Sequence, residues 1–171
     1  MSTTTAAPTA RAAVRRPGLL TAAIGIVVVT ALASIVNGVM IATGGRELLE
    51  TVFEEAGLSA ADLEFAVTLS GYDSVDSYLS TFHMRGYLVL AGGALLLLFG
   101  LCMTKAATWA RVLVTISAAL TLVFSLMIIG TDSTATMAAL SMLAMLGAIL
   151  AIIFTWLPAN GRYKNALKAG H

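Results

Sequence analysis

The chain has 171 residues, of which 58% are hydrophobic and only 11% charged, with a mean hydropathy of +0.91. Soluble domains carry about a quarter of their residues as charges, so this composition excludes an ordinary water-soluble domain and points to a membrane protein. The net charge of +1 hides an uneven distribution along the chain, and the single cysteine, Cys102, excludes an internal disulfide, a CxxC redox centre and a cysteine-rich metal site.

Residues 1–18 are rich in Ser, Thr and Ala, carry Arg11, Arg15 and Arg16, and read as a disordered cytoplasmic tail. From Leu19 to Thr43 there is no charge, a run long enough to cross about 30 Å of hydrocarbon. The basic start and Ala31-Leu32-Ala33 also fit a signal peptide with a cleavage site. The apolar run continues through Val36, Val39 and Ile41, however, which favours a retained first span.

Residues 44–85 form an acidic loop that holds eight of the nine acids. Leu48, Leu49, Val52 and Phe53 lie at helical spacing with Glu47, Glu50, Glu54 and Glu55 mostly elsewhere, and Gly57 is the expected stop. Ser59 and Asp62 resemble a capping box that opens a second short helix closing at Gly71. A third helix, beginning near Asp73 or Ser74 and displaying Tyr78, Leu79 and Phe82, is expected to run on into the next span.

Three further spans follow, at about 87–103, 112–129 and 134–157. Lys105 and Arg111 bracket the turn between the second and third, and Gly130 to Ser133, with Asp132, makes the turn before the fourth. Residues 158–171 form a basic tail. Lysine and arginine counts set membrane orientation. Eight of the ten lie in the N-terminal tail, the Lys105–Arg111 turn and the C-terminal tail (Arg162, Lys164, Lys168), whereas the other side keeps Arg46 and Arg85. Both termini are therefore expected to be cytoplasmic, with loop 44–85 extracytoplasmic in a plasma (inner) membrane.

Lipid gives helices no hydrophobic reason to associate, so small residues that allow close backbone approach take over that role. Each span carries a stripe of them: Thr30, Ser34, Gly38 and Ala42; Gly86, Gly93 and Gly100; Ser117, Thr121 and Ser125; Ser141, Ala144, Ala148, Ala151 and Thr155. The expected fold is all-α: an antiparallel four-helix transmembrane bundle with a helical extracytoplasmic loop between spans 1 and 2.

No Asp, Glu, His, Lys or Arg falls within these spans, which argues against a proton-coupled carrier or an intramembrane protease. The chain has no Gly-rich phosphate loop, nucleophile elbow or HExxH, so neither an enzyme nor a cofactor is expected. His83, Asp73 and Asp76 supply too few ligands for a metal site. The basic residues are membrane flanks and give no surface for nucleic acid. Cys102 is expected to pack.

The opening Arg16-Pro17-Gly18-Leu19, the loop segment Gly57-Leu58-Ser59-Ala60-Ala61-Asp62 and the closing Leu157-Pro158 with Asn160, Arg162 and Tyr163 resemble a class of small four-span integral membrane proteins. That class is common in high-GC Gram-positive bacteria and mostly uncharacterised. The resemblance implies a bacterial integral membrane protein and transfers no functional residue; the segment from Gly71 to Arg85 makes this loop longer than the class leads one to expect.

Two functional readings follow. The first is a non-enzymatic accessory or scaffold subunit that meets a membrane-protein partner, or another copy of itself, through Leu48, Leu49, Val52, Phe53, Tyr78 and Phe82, because apolar faces on a short loop bury something. The second is a small uncoupled transporter or lipid-binding protein with an intramembrane polar site at Asn37, Ser117, Thr121 and Ser125.

Overall fold

A computed structural model describes residues 18–59, 62–103, 108–130 and 133–158. The tails expected before residue 18 and after residue 158, together with Lys105 and Asp132, lie outside the described residues. Among those described, the fold is all-helical, with six helices and no strand: α1 (Gly18–Thr43), α2 (Arg46–Glu55), α3 (Leu63–Leu69), α4 (Val75–Cys102), α5 (Thr108–Ile129) and α6 (Ala135–Thr155). Four of them, α1, α4, α5 and α6, are long and apolar enough to cross a membrane. The protein is a multi-pass membrane bundle.

Local chemistry sets the helix ends. Gly57 has φ +86°, a conformation that costs a side-chain-bearing residue about 1–2 kcal/mol. It lets Leu58 N–H reach back to Phe53 O at 2.9 Å and closes α2. Gly71, at φ +85°, ends α3 in the same way, with Tyr72 N–H donating to Val67 O. Before α3, the Asp62 carboxylate accepts from the Ser59 backbone N–H at 3.4 Å, the reach-back half of the expected capping box, and from the Ser59 hydroxyl at 2.5 Å. Ser74 caps α4 by accepting from Ser77 N–H at 3.2 Å. Nothing interrupts α4 between that cap and Cys102, so the third loop helix and the second span are one helix of 28 residues, about 42 Å long.

The four long helices pack as a closed ring: α1 lies against α4 and α6, and α5 against α6 and α4. Neighbours run antiparallel. Along the α1–α4 seam, Gly38 faces Leu90, Ala42 faces Gly86, Ser34 faces Gly93 and Val27 faces Gly100. The two expected small-residue stripes therefore meet each other. A Cβ at Gly38 would stand 2.5 Å from the Leu90 backbone nitrogen, and one at Gly86 would stand 2.5 Å from that of Ala42. Here the backbones themselves are in contact.

Burial follows the logic of a lipid solvent. Inside the bundle sit Ala23, Ala31, Ala118, Ala144, Ala148 and Ala151 with Thr30, Ser34, Ser117, Thr121, Ser125 and Ser141, while Val29, Leu98, Val123, Leu146 and Ile153 face outward. Water would drive the larger aliphatic groups inside; acyl chains solvate them as well as protein does. Cys102, expected to pack, is on this outward surface. Trp109 and Trp156 are both exposed near the end of the bundle where the chain termini emerge, a placement suited to a membrane interface.

Candidate functional site

At the loop end, α2 and α3 form a cap over the bundle. Leu49, Val52, Phe53, Leu63 and Val67 from the cap, and Val75, Tyr78 and Phe82 from the start of α4, join Ile41, Val89, Ile128 and Met137 in one apolar cluster. The Phe53 and Tyr78 rings lie 5.9 Å apart and tilted, and Tyr72 meets Tyr78 edge-on at 5.0 Å.

The expectation that these faces bury something is met by the bundle's own top. Leu49, Val52, Phe53, Tyr78 and Phe82 are all buried, and Leu48 is half-buried against the same cluster. The apolar area of these six residues covers the ends of α1, α4, α5 and α6, with Leu48 partly exposed and Phe53 also bordering a groove on the outer side. Two polar contacts fix the cap in place. Glu55 accepts from Ala135 N–H at 2.6 Å, bringing the end of α2 to the start of α6. The imidazole Nε2 of His83, on α4, donates to Gly44 O at 2.5 Å. The glutamate series of α2 thus includes one anion placed at a helix N-terminus, where the backbone N–H groups and the helix dipole favour negative charge.

What the cap does expose is the far side of α3. Phe65 is 67% and Leu69 73% exposed. With Leu58, Asp62 and the edge of Phe53 they line a groove of about 420 Å³. Sequence reasoning missed these residues, although the signal was present. In Leu63-Glu-Phe-Ala-Val-Thr-Leu69 the apolar pairs Leu63/Val67 and Phe65/Leu69 fall on opposite faces of the helix, and only one face of a surface helix can lie on a core. A second groove, of about 330 Å³, is polar and runs between Glu64 and Thr68 of α3, Arg46, and Asp73 to Asp76 at the start of α4. Arg46 is also 3.1 Å from Glu50.

Beneath the cap, Asn37 is 2% exposed. Its Nδ2 donates to Ser141 Oγ of α6 at 2.8 Å and more weakly to Met137 O at 3.5 Å, while Oδ1 has no hydrogen-bond partner. Ser117, Thr121 and Ser125 are buried too, but the ring places α5 diagonally across from α1. Thr121 Oγ1 donates to Ser117 O of its own helix at 2.9 Å. The four residues expected to make one polar site therefore share the interior, but among the described residues no hydrogen bond joins Asn37 to the α5 stripe; its partner is Ser141.

Among the described residues, no group of three or more His, Cys, Asp or Glu is placed to hold a metal ion. Compared with known proteins, the chain matches no family model, no curated protein and no solved structure.

Proposed function

We propose that this protein is a non-enzymatic plasma-membrane protein that acts by interaction, as an accessory or scaffold subunit, presenting its cap on the extracytoplasmic side. The supporting observation is the exposed Phe65–Leu69 face of α3. The cap is anchored by its own apolar core and by the Glu55 and His83 contacts, so this face is held on a rigid mount. Two large apolar side chains more than two-thirds exposed on a folded, otherwise polar segment are typical of a binding surface.

The test is recovery of the tagged protein from its native membrane in mild detergent, with stoichiometry by mass spectrometry. A partner near one-to-one that disappears with Phe65→Ser plus Leu69→Ser is the expected result. Recovery of the chain alone would remove the proposal.

Asn37 supports a second reading, an uncoupled transporter or lipid-binding protein, because its Oδ1 is a buried acceptor without a donor. That reading calls for solute flux in proteoliposomes that collapses with Asn37→Leu. It ranks second because Ile41 and Met137, which lie in the cap's core cluster, are fully buried close by.

A further inference from the structure

The α3 face can be placed relative to the bilayer, and that placement narrows what covers it. Glu64 and Thr68 share a groove with Asp73, Ser74, Val75 and Asp76 at the start of α4, and Leu63 and Val67 pack with Val75 and Tyr78. So α3 lies level with the first turn of α4. The apolar span of α4 begins only at Tyr87, beyond Arg85 and Gly86, about 16 Å further along the helix axis from Asp76. A usual tilt of about 20° leaves about 15 Å of that as height. The headgroup layer on one side of the hydrocarbon is only about 5–8 Å deep. Phe65 and Leu69 therefore stand above the lipid, in water, and acyl chains do not cover them.

Charge narrows the occupant further. Residues 44–85 carry eight acids against Arg46 and Arg85, and Arg46 is already engaged by Glu50. Asp62 lines the apolar groove itself, and the exposed Glu64 sits beside Phe65. A second copy would bring an equally negative cap against this one and be repelled. We infer that the Leu58–Phe65–Leu69 groove docks a basic, apolar segment of a different protein: one or two large aliphatic or aromatic side chains in the groove, flanked by Lys or Arg facing Asp62 and Glu64.

The inference rests on the interaction reading above and is tested separately from it. A photoreactive benzoylphenylalanine in place of Phe65, in the full chain in its native membrane, reports what lies on the groove, and the cross-linked peptide is sequenced. The expected adduct is a heterologous polypeptide whose linked segment combines Lys or Arg with large apolar residues. Its yield should fall at least about tenfold with Asp62→Lys plus Glu64→Lys, and fall as ionic strength is raised. Both are surface positions; because Asp62 also caps α3, Glu64→Lys alone is the variant whose unchanged thermal unfolding excludes loss of fold. An adduct of twice the chain mass, an adduct to lipid, or a linked segment that is acidic or uncharged overturns the inference. A one-to-one partner in the pull-down without any adduct at position 65 overturns this inference and leaves the interaction reading standing; absence of both removes both.

Discussion

Asn37 is where two physical arguments pull against each other. It makes one good hydrogen bond across a helix interface, Nδ2 to Ser141 Oγ at 2.8 Å, and leaves Oδ1 buried without a donor. Interhelical hydrogen bonds in membranes average about 0.6 kcal/mol, and an orphan acceptor costs about as much or more. If Asn37 is structural only, Asn37→Leu should change unfolding free energy by less than about 1 kcal/mol, read by denaturant titration in micelles. A double-mutant cycle with Ser141→Ala should return a coupling of similar size. A loss of several kcal/mol would mean that Oδ1 gains a hydrogen bond in the micelle-bound protein, such as to a buried water. Glycine gives a sharper contrast. Gly86→Ala puts a methyl 2.5 Å from the Ala42 nitrogen and should destabilise by about 1–3 kcal/mol. At Gly25 an added methyl meets nothing within 4 Å, so Gly25→Ala should stabilise by up to about 1 kcal/mol. Equal effects at the two sites would undo the account of the α1–α4 seam.

The helices were readable from the sequence in unequal degrees, for physical reasons. Gly57, Gly71 and Ser74 act within three or four residues of themselves, so local spacing was enough to place the ends of α2, α3 and α4. The stripes were also legible, because small residues at intervals of three, four and seven recur in all four spans, which points to close approach in a lipid solvent. What spacing could not disclose is which stripe meets which: that Gly86, Gly93 and Gly100 lie on Ala42, Ser34 and Val27 is a property of the ring. Glu55 illustrates the same limit. On α2 it is one of four similar glutamates, and only the fold brings its carboxylate to Ala135 N–H. Glu55→Ala should cost about 0.3–1 kcal/mol and speed hydrogen exchange at the Ala135 amide and along α2. Glu55→Gln keeps an acceptor and should do less. Exchange that is unchanged in both variants would show that the contact does not hold the cap.

For the whole molecule, the membrane nature was the most legible feature, since it is written in composition, and the proposed binding surface was the least. Leu48, Leu49, Val52, Phe53, Tyr78 and Phe82 drew attention as an apolar set, yet apolarity alone does not say whether a face is covered by a partner or by the chain itself. The cap answers with the chain itself, and leaves Phe65 and Leu69 as the exposed remainder. The proposed orientation has a direct test. In a Cys102→Ser background, Glu64→Cys should react with a membrane-impermeant maleimide in intact cells, and a cysteine replacing Trp156 should react only after the membrane is opened. The reverse pattern would invert the topology and move any cap partner to the cytoplasm.

The single helix that joins the cap to the second span has a consequence for how the protein is made. Synthesis proceeds from the N-terminus, so α2 and α3 emerge from the ribosome before Tyr78 and Phe82, against which they pack, have emerged. In the same interval α1 stands in the bilayer with its Gly38 face bare, because Leu90 and Gly86 come later still. The order of synthesis thus runs against the order of packing, and neither the cap nor the first seam can settle until α4 is inserted. A nascent chain stopped after Gly71 is a membrane anchor carrying an acidic segment that has nothing to pack against. Shortening α4 at its cap end would reproduce that immature state in the finished protein, even with all four spans in place.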